Sequence, residues 1–259
     1  MPEKDLAMPV YAYCLLRTPS QQEWPVLQGI GGHPVFPSHC GRYTMLLSHL
    51  KKDFSFTPRS IVEHGQIVAH TFETHTVLPM RFGTVFPSEK HVENLIKENQ
   101  RELLETFSRL RGKAEMRLKF QISSGNEAKG PAKKSPQKTL SLKKALTSSA
   151  PPAVDPKTHA LAEKCVYWLR EAFRPLQDTF SCRNLPGDDV AVDCAHLIEA
   201  CRIEDYRKAT SSLASAEMSD GSLRLSGPWP PYHFLPNSIR MPAPVVRASR
   251  PKYLAIAAQ

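Results

Sequence analysis

Gly227-Pro-Trp-Pro-Pro-Tyr-His-Phe234 packs three prolines and three aromatic rings into eight residues. Each proline lacks a backbone donor and fixes φ, so this stretch is neither an ordinary helix nor a central strand. It is predicted to be stiff and extended, presenting large rings with little entropy lost on ordering. Ser222-Leu-Arg-Leu-Ser226 reads as a strand that feeds directly into it. Trp229, Pro230, Pro231, Tyr232 and Phe234 then have two readings. They are a rigid strap whose rings cover a core, or a preorganised ledge that receives an apolar partner segment, and different rings can serve each purpose.

A second unusual run is Val77-Leu-Pro-Met-Arg-Phe-Gly-Thr-Val-Phe86. It reads as extended, with Pro79 suited to a strand mouth or edge and Gly83 to a special φ or a close backbone approach. Arg81 reads either as paired with a carboxylate or carbonyls at a domain junction, or, with Phe82, as a partner contact. Before it, Thr57-Pro58 offers an N-cap and an N1 proline for a helix carrying Ile61, Gly65, Val68 and Phe72. After it, Val92, Leu95, Ile96, Leu103, Phe107 and Leu110 predict one amphipathic helix over 88–110, ended by Gly112. Strands are predicted at 11–16, 43–50 and 114–122, the last from clean apolar/polar alternation. Residues 18–42, with four prolines and four glycines, read as loop. Their Gly29-Ile-Gly-Gly lacks the Lys-Ser/Thr of a phosphate cradle.

Residues 123–154, rich in Ser, Pro, Lys and Ala, read as a flexible basic linker. Beyond it come a helix at 157–174, strands near 178–183 and 190–199 (195–200 could be helical), and a short helix carrying Ile203, Tyr206, Thr210 and Leu213. This organisation predicts an α+β protein: an N-terminal domain 1–122, the linker 123–154, a second α+β domain 155–236 and a disordered basic tail 237–259.

The net charge of +9 comes from two places. Residues 123–154 hold six Lys against Glu127, and residues 235–259 add Arg240, Arg247, Arg250 and Lys252 without an acid. The remainder nets to zero, which favours solvated segments over a nucleic-acid stripe on a folded surface. No run of eighteen apolar residues predicts a membrane span, and the charged N-terminus predicts no signal peptide and a cytoplasmic protein. The six cysteines include no Cys-x-x-Cys pair and read as reduced, mostly buried thiols; Cys194 and Cys201 could share a helix face. No pair of the ten histidines has a zinc spacing, and no nucleophile elbow, Walker lysine or dinucleotide fingerprint is present. Neither a catalytic residue nor a metal or cofactor site is therefore assigned. The alternative is a small-molecule-binding protein or enzyme on a ferredoxin-like scaffold, which needs several His, or a Cys with a His, converging in a pocket.

The two runs at 77–86 and 227–234 together resemble the signatures of the gas vesicle accessory proteins of the GvpL/GvpF family. The family's block reads Leu-Pro-Met-Arg-Phe-Gly-Thr, as here, and its most recognisable string reads Gly-Pro-Trp-Pro-Pro-Tyr-Ser-Phe, with His233 here in place of Ser. Gly112 to Lys119, the opening Tyr11-Ala-Tyr-Cys and His64 are also similar, so the anchors span residues 10–234. Met116 replaces a common Trp, and the insert at 123–154 replaces a Tyr-Leu followed by arginines. The resemblance implies two α+β domains, the second a ferredoxin-like variant. It further implies a non-catalytic structural or assembly factor that binds the small hydrophobic shell protein, and other gas vesicle accessory proteins, in the vesicle or cytoplasm. Exposed aromatics would also promote self-association.

Overall fold

Strand β1 (Val10–Arg17) is buried from Val10 to Leu16, as expected of a strand covered on both faces. The computed structural model describes residues 8–19, 24–51, 53–122, 156–177, 179–185, 190–216, 221–236, 238–239 and 242. The expected linker at 123–154 and all of the expected tail except Ser238, Ile239 and Pro242 lie outside these. Ile239 is buried. Mixed helices and strands make the chain α+β.

Contacts divide the chain into two compact units. The first holds Met1–Met116, Leu197–Ala200 and Ser226–Gln259; the second holds Arg117–His196 and Cys201–Leu225. The Trp-Pro-Pro segment thus belongs to the first unit.

In the first unit, β2 (Leu27–Gln28), β3 (Pro34–Cys40), β4 (Tyr43–His49) and β5 (Val77–Pro79) join β1 in the order β2-β3-β4-β1-β5, and β6 (Val85–Phe86) also pairs with β1. All these pairings are antiparallel. The register of β1 on β4 slips between Ala12 and Cys14, leaving Tyr13 as the extra residue of a bulge. The slip resets the side-chain alternation. Tyr11, Tyr13, Cys14 and Leu16 consequently share one cluster with Leu46 of β4 and with Ile67 and Val68 of helix α1 (Pro58–Phe72). On the other face, α2 (Glu89–Glu98) touches β3 and β6. Phe107 of α3 (Gln100–Leu110) stacks on Tyr43 at 5.5 Å.

Three expectations are corrected in this unit. Residues 34–40 form β3 despite Pro34, its first residue, and Pro37, which has no strand pairing on its outer side among the described residues, because β2 flanks only residues 34 and 35. The single helix over 88–110 is broken into α2 and α3 at Asn99. There the side-chain amide donates to the Leu95 carbonyl at 2.7 Å and the backbone turns to φ −116°, ψ 20°. In α1 the buried face is Ser60, His64, Ile67, Val68 and Thr71, one position away from the stripe read in the sequence.

Strands β7 (Lys113–Ile122), β8 (Thr179–Leu185), β9 (Val190–Glu199) and β10 (Gly221–Trp229) form a second sheet in the order β10-β7-β9-β8. With α4 (Pro156–Phe173) and α5 (Ile203–Ala216) they follow one another as strand, helix, strand, strand, helix, strand. Residues 195–199 are strand, not helix. β10 ends the sheet order, an edge position that accommodates Pro228. The second unit's core gathers rings around His196: Phe173 at 5.2 Å, Phe180 at 4.9 Å and Tyr206 at 5.4 Å. Cys182 and Cys194, on neighbouring strands of that sheet, are joined in a disulfide, which corrects the reading of six reduced thiols. Cys14, Cys40, Cys165 and Cys201 are free of disulfides.

Candidate partner-binding surface

The segment that follows β10 is held against the start of β7 by backbone shape and by charge. Gly227 has φ +118°, and a Cβ there would lie 2.8 Å from the Glu115 carbonyl oxygen and 2.9 Å from Met116 Sδ. Only glycine meets both conditions. Beyond it Trp229 is half-buried, its Nε1 donating to Ser226 Oγ at 3.2 Å. Pro230 and Pro231 are buried and lead into a 3-10 turn, Tyr232–Phe234. The Tyr232 N–H donates to the Pro230 carbonyl at 2.8 Å, and that of Phe234 to the Pro231 carbonyl at 3.2 Å. Phe234 is buried, whereas Tyr232 keeps 37% of its surface exposed.

Side chains from outside the segment fasten it. Glu115 is fully buried, and its two carboxylate oxygens accept from the His233 backbone N–H at 2.9 Å and from His233 Nδ1 at 2.6 Å. Arg109 Nη2 donates to the Phe234 carbonyl at 2.6 Å. These bonds are charge-assisted and stronger than neutral ones. The Tyr232 phenol is held above its ordinary value by burial, then by the Cys14 thiol and the Glu115 carboxylate.

The 77–86 run packs on the cluster of Tyr11, Tyr13 and α1, with Val77 in that cluster and Phe82 and Val85 against it. Leu78, Met80 and Phe86 are buried, and Arg81–Thr84 forms a turn in which the Thr84 N–H donates to the Arg81 carbonyl at 3.1 Å. Gly83 takes φ +86°, the left-handed value such a turn requires. Arg81 is therefore in a turn, not a strand. Its side chain is exposed and has no ion pair among the described residues. Phe82 is half-buried and packs on Phe56 (5.4 Å), His64 (6.0 Å) and Tyr11 (6.4 Å).

Tyr11 fastens the 77–86 run to helix α1. Its hydroxyl accepts from the Gly83 N–H at 3.4 Å and donates to His64 Nδ1 at 2.8 Å. His64 Nε2 lies 3.1 Å from the Met80 carbonyl, which only accepts, so Nε2 carries the proton. Burial holds the His64 imidazole down at about 4, opposed by that carbonyl bond. Burial chiefly raises the Tyr11 phenol, opposed by the Gly83 N–H bond. Beside it, Tyr13 accepts from the Ile30 N–H at 2.9 Å and meets Ser48 Oγ at 3.0 Å. The Gly29–Gly32 stretch is thus a turn wrapped on Tyr13, since a Cβ on Gly29 would fall 1.9 Å from the Tyr13 hydroxyl.

The candidates therefore divide. Pro230, Pro231 and Phe234 are interior, Phe82 and Trp229 are half-buried, and Tyr232 and Arg81 are exposed. Sequence reasoning missed Glu115 and Arg109. The alternation of β7 assigned Glu115 to the open face, and only the strap lying over it makes it buried. No group of three or more His, Cys, Asp or Glu among the described residues could hold a metal. A recess of about 390 Å³ at the α2–α3 break is lined by Glu98, Asn99, Arg101, Glu102 and Glu105, with neither His nor Cys. No helix among the described residues is long and apolar enough to cross a membrane.

Comparison with known proteins agrees with this arrangement. A solved structure of gas vesicle protein GvpF from Anabaena sp. PCC7120 is similar at a TM-score of 0.69 and 19% identity, over 88% of this chain and 98% of that one. GvpF from Microcystis aeruginosa is similar at a TM-score of 0.67 and 18% identity, over 88% and 99%. At such identities the likeness shows the fold. A curated relative, gas vesicle protein F of Microcystis aeruginosa (strain PCC 7806), is 31% identical over 99 residues, which is 37% of this chain. That match spans 41% of the relative's length. The family model for the gas vesicle synthesis proteins GvpL/GvpF matches residues 9–236, a span that contains the bulged tyrosine strand, the Arg81 turn and the clamped Trp-Pro-Pro segment, and the chain belongs to that family.

Proposed function

We propose that this protein is a non-catalytic gas vesicle accessory factor that binds the small hydrophobic shell protein and supports assembly of the vesicle wall. The observation that carries the reading is Tyr232, a residue 37% exposed on a proline-rich segment whose next two residues, His233 and Phe234, are fastened by Glu115 and Arg109. A large ring held in place binds an apolar segment with little conformational entropy left to lose. Trp229 flanks it, and the exposed guanidinium of Arg81 offers a donor fork to backbone carbonyls or a carboxylate of the partner. Family membership supports the gas vesicle setting. We read the strand-helix-strand-strand-helix-strand order with sheet order β10-β7-β9-β8 as a ferredoxin-like variant.

The test is co-purification with the shell protein from cells expressing both. Wild type is expected to capture it, and a Trp229→Ala, Tyr232→Ala double variant with native circular dichroism is expected to lose most of that capture. Equal capture by the two would reduce the ledge to a structural strap. No capture by wild type would refute shell-protein binding.

A further inference from the structure

Burying a carboxylate is costly unless its oxygens are bonded, and both oxygens of the buried Glu115 are spent on one residue of the strap, His233. A carboxylate only accepts, so His233 Nδ1 carries the proton and the ring is fixed in one orientation. Arg109 grips the next carbonyl along, that of Phe234, at 2.6 Å. The three bonds bracket the turn directly after Tyr232, while Gly227 fixes the strap at its other end by its approach to the Glu115 and Met116 backbone. Pro228, Pro230 and Pro231 contribute no backbone donors between these points. With so few internal hydrogen bonds, the conformation of the ledge depends on the fastening at its two ends.

We propose that Glu115 and Arg109 are positioning residues for the Trp229–Tyr232 ledge, acting through His233 and the Phe234 carbonyl. This rests on the shell-protein reading above. The latch sets the conformation in which the rings meet the partner, and it touches no partner itself.

The experiment pairs hydrogen–deuterium exchange of the peptide covering 227–236 with shell-protein capture, on the full chain. Glu115→Gln and Arg109→Met are expected to raise exchange in that peptide about tenfold, the scale of one lost charge-assisted bond. Capture is expected to fall about fivefold, with exchange in β1 and α1 unchanged. Should those variants not fold, His233 decides the matter, because its own side chain is partly exposed. His233→Leu removes the Nδ1 donor and should reproduce both effects. His233→Asn returns an N–H donor to Glu115 and should restore both. Unchanged exchange in His233→Leu would overturn the latch while leaving the shell-protein reading intact. Raised exchange with undiminished capture would overturn the positioning role. Absence of capture by wild type would remove the reading on which the role rests, with the exchange data showing the latch separately.

Discussion

At the scale of single residues, Gly227 shows how a local string can depend on distant chain. Its φ of +118° would strain any other residue, and the Glu115 carbonyl oxygen lies where a Cβ must go. Gly227→Ala is expected to cost about 2–4 kcal/mol in urea unfolding, combining left-handed strain with a backbone clash. Gly41→Ala is the matched control: its φ is +58° but no atom lies within 4 Å of the added Cβ, so about 1 kcal/mol is expected. Equal losses at the two sites would show that the approach to β7 is not tight. Tyr11→Phe should cost about 2 kcal/mol, because it leaves a lone pair on buried His64 Nδ1 and the Gly83 N–H without partners. That the Trp-Pro-Pro string is neither an ordinary helix nor a central strand was legible from its prolines; that its extended course ends in a turn at Tyr232–Phe234 was not. Which rings point inward was not, since that is decided by Glu115, 118 residues earlier in the chain. Tyr11 and His64 were legible only as similarities to a family, because their partnership is made across a helix and a turn.

At the scale of elements, those built from local chemistry were readable and those built by neighbours were not. The start of α1 was readable because Thr57 and Ser60 form a capping box around Pro58, with the Ser60 N–H donating to Thr57 Oγ1 at 3.3 Å and the Thr57 N–H to Ser60 Oγ at 3.2 Å. Thr57→Ala is expected to lower stability by about 1 kcal/mol, measured as a shift of the urea midpoint at unchanged slope; a change below a few tenths would mean that Pro58 alone starts the helix. β3 was hidden because prolines argue against strands, and Pro37 is tolerated where β2 no longer flanks β3 among the described residues. The break at Asn99 was hidden because the apolar stripe continues in phase across it, from Ile96 to Leu103. The disulfide was hidden because pairing of Cys182 with Cys194 requires β8 to lie beside β9. Alkylation of the denatured, unreduced protein followed by mass spectrometry is expected to label Cys14, Cys40, Cys165 and Cys201 and to leave Cys182 and Cys194 blocked until reductant is added. Labelling of all six without reductant would restore the reading of reduced thiols.

At the scale of the whole molecule, the net charge of +9 was traceable to charged side chains of 123–154 and to Arg240, Arg247, Arg250 and Lys252, all outside the described residues, so charge said little about the described surface. What the units share is a buried histidine among tyrosine and phenylalanine rings. Desolvation lowers His64 to about 4 in the first unit and His196 to about 3 in the second. In the unfolded chain both titrate near 6.5. Above that value neither state holds the extra proton, and the histidines leave stability independent of pH. As pH falls from about 6.5 towards 4, the unfolded chain takes up protons that the native core refuses. Stability must then drop by about 1.4 kcal/mol per pH unit for each histidine. Below about 4 the native His64 also protonates and its contribution levels off, while that of His196 continues to about 3. Stability measured by urea unfolding between pH 7.5 and 4.5 is therefore expected to slope downwards with acid. Replacing His64 by Gln should lower stability at pH 7.5, because the bonds to Tyr11 and Met80 are disturbed, yet it should reduce the slope by about half if the two units unfold together. If they unfold separately, the slope should vanish from the first unit's transition and persist in the second's. A slope untouched by His64→Gln would mean that this ring is not held neutral, and the tautomer assigned from the Met80 carbonyl would have to be abandoned with it.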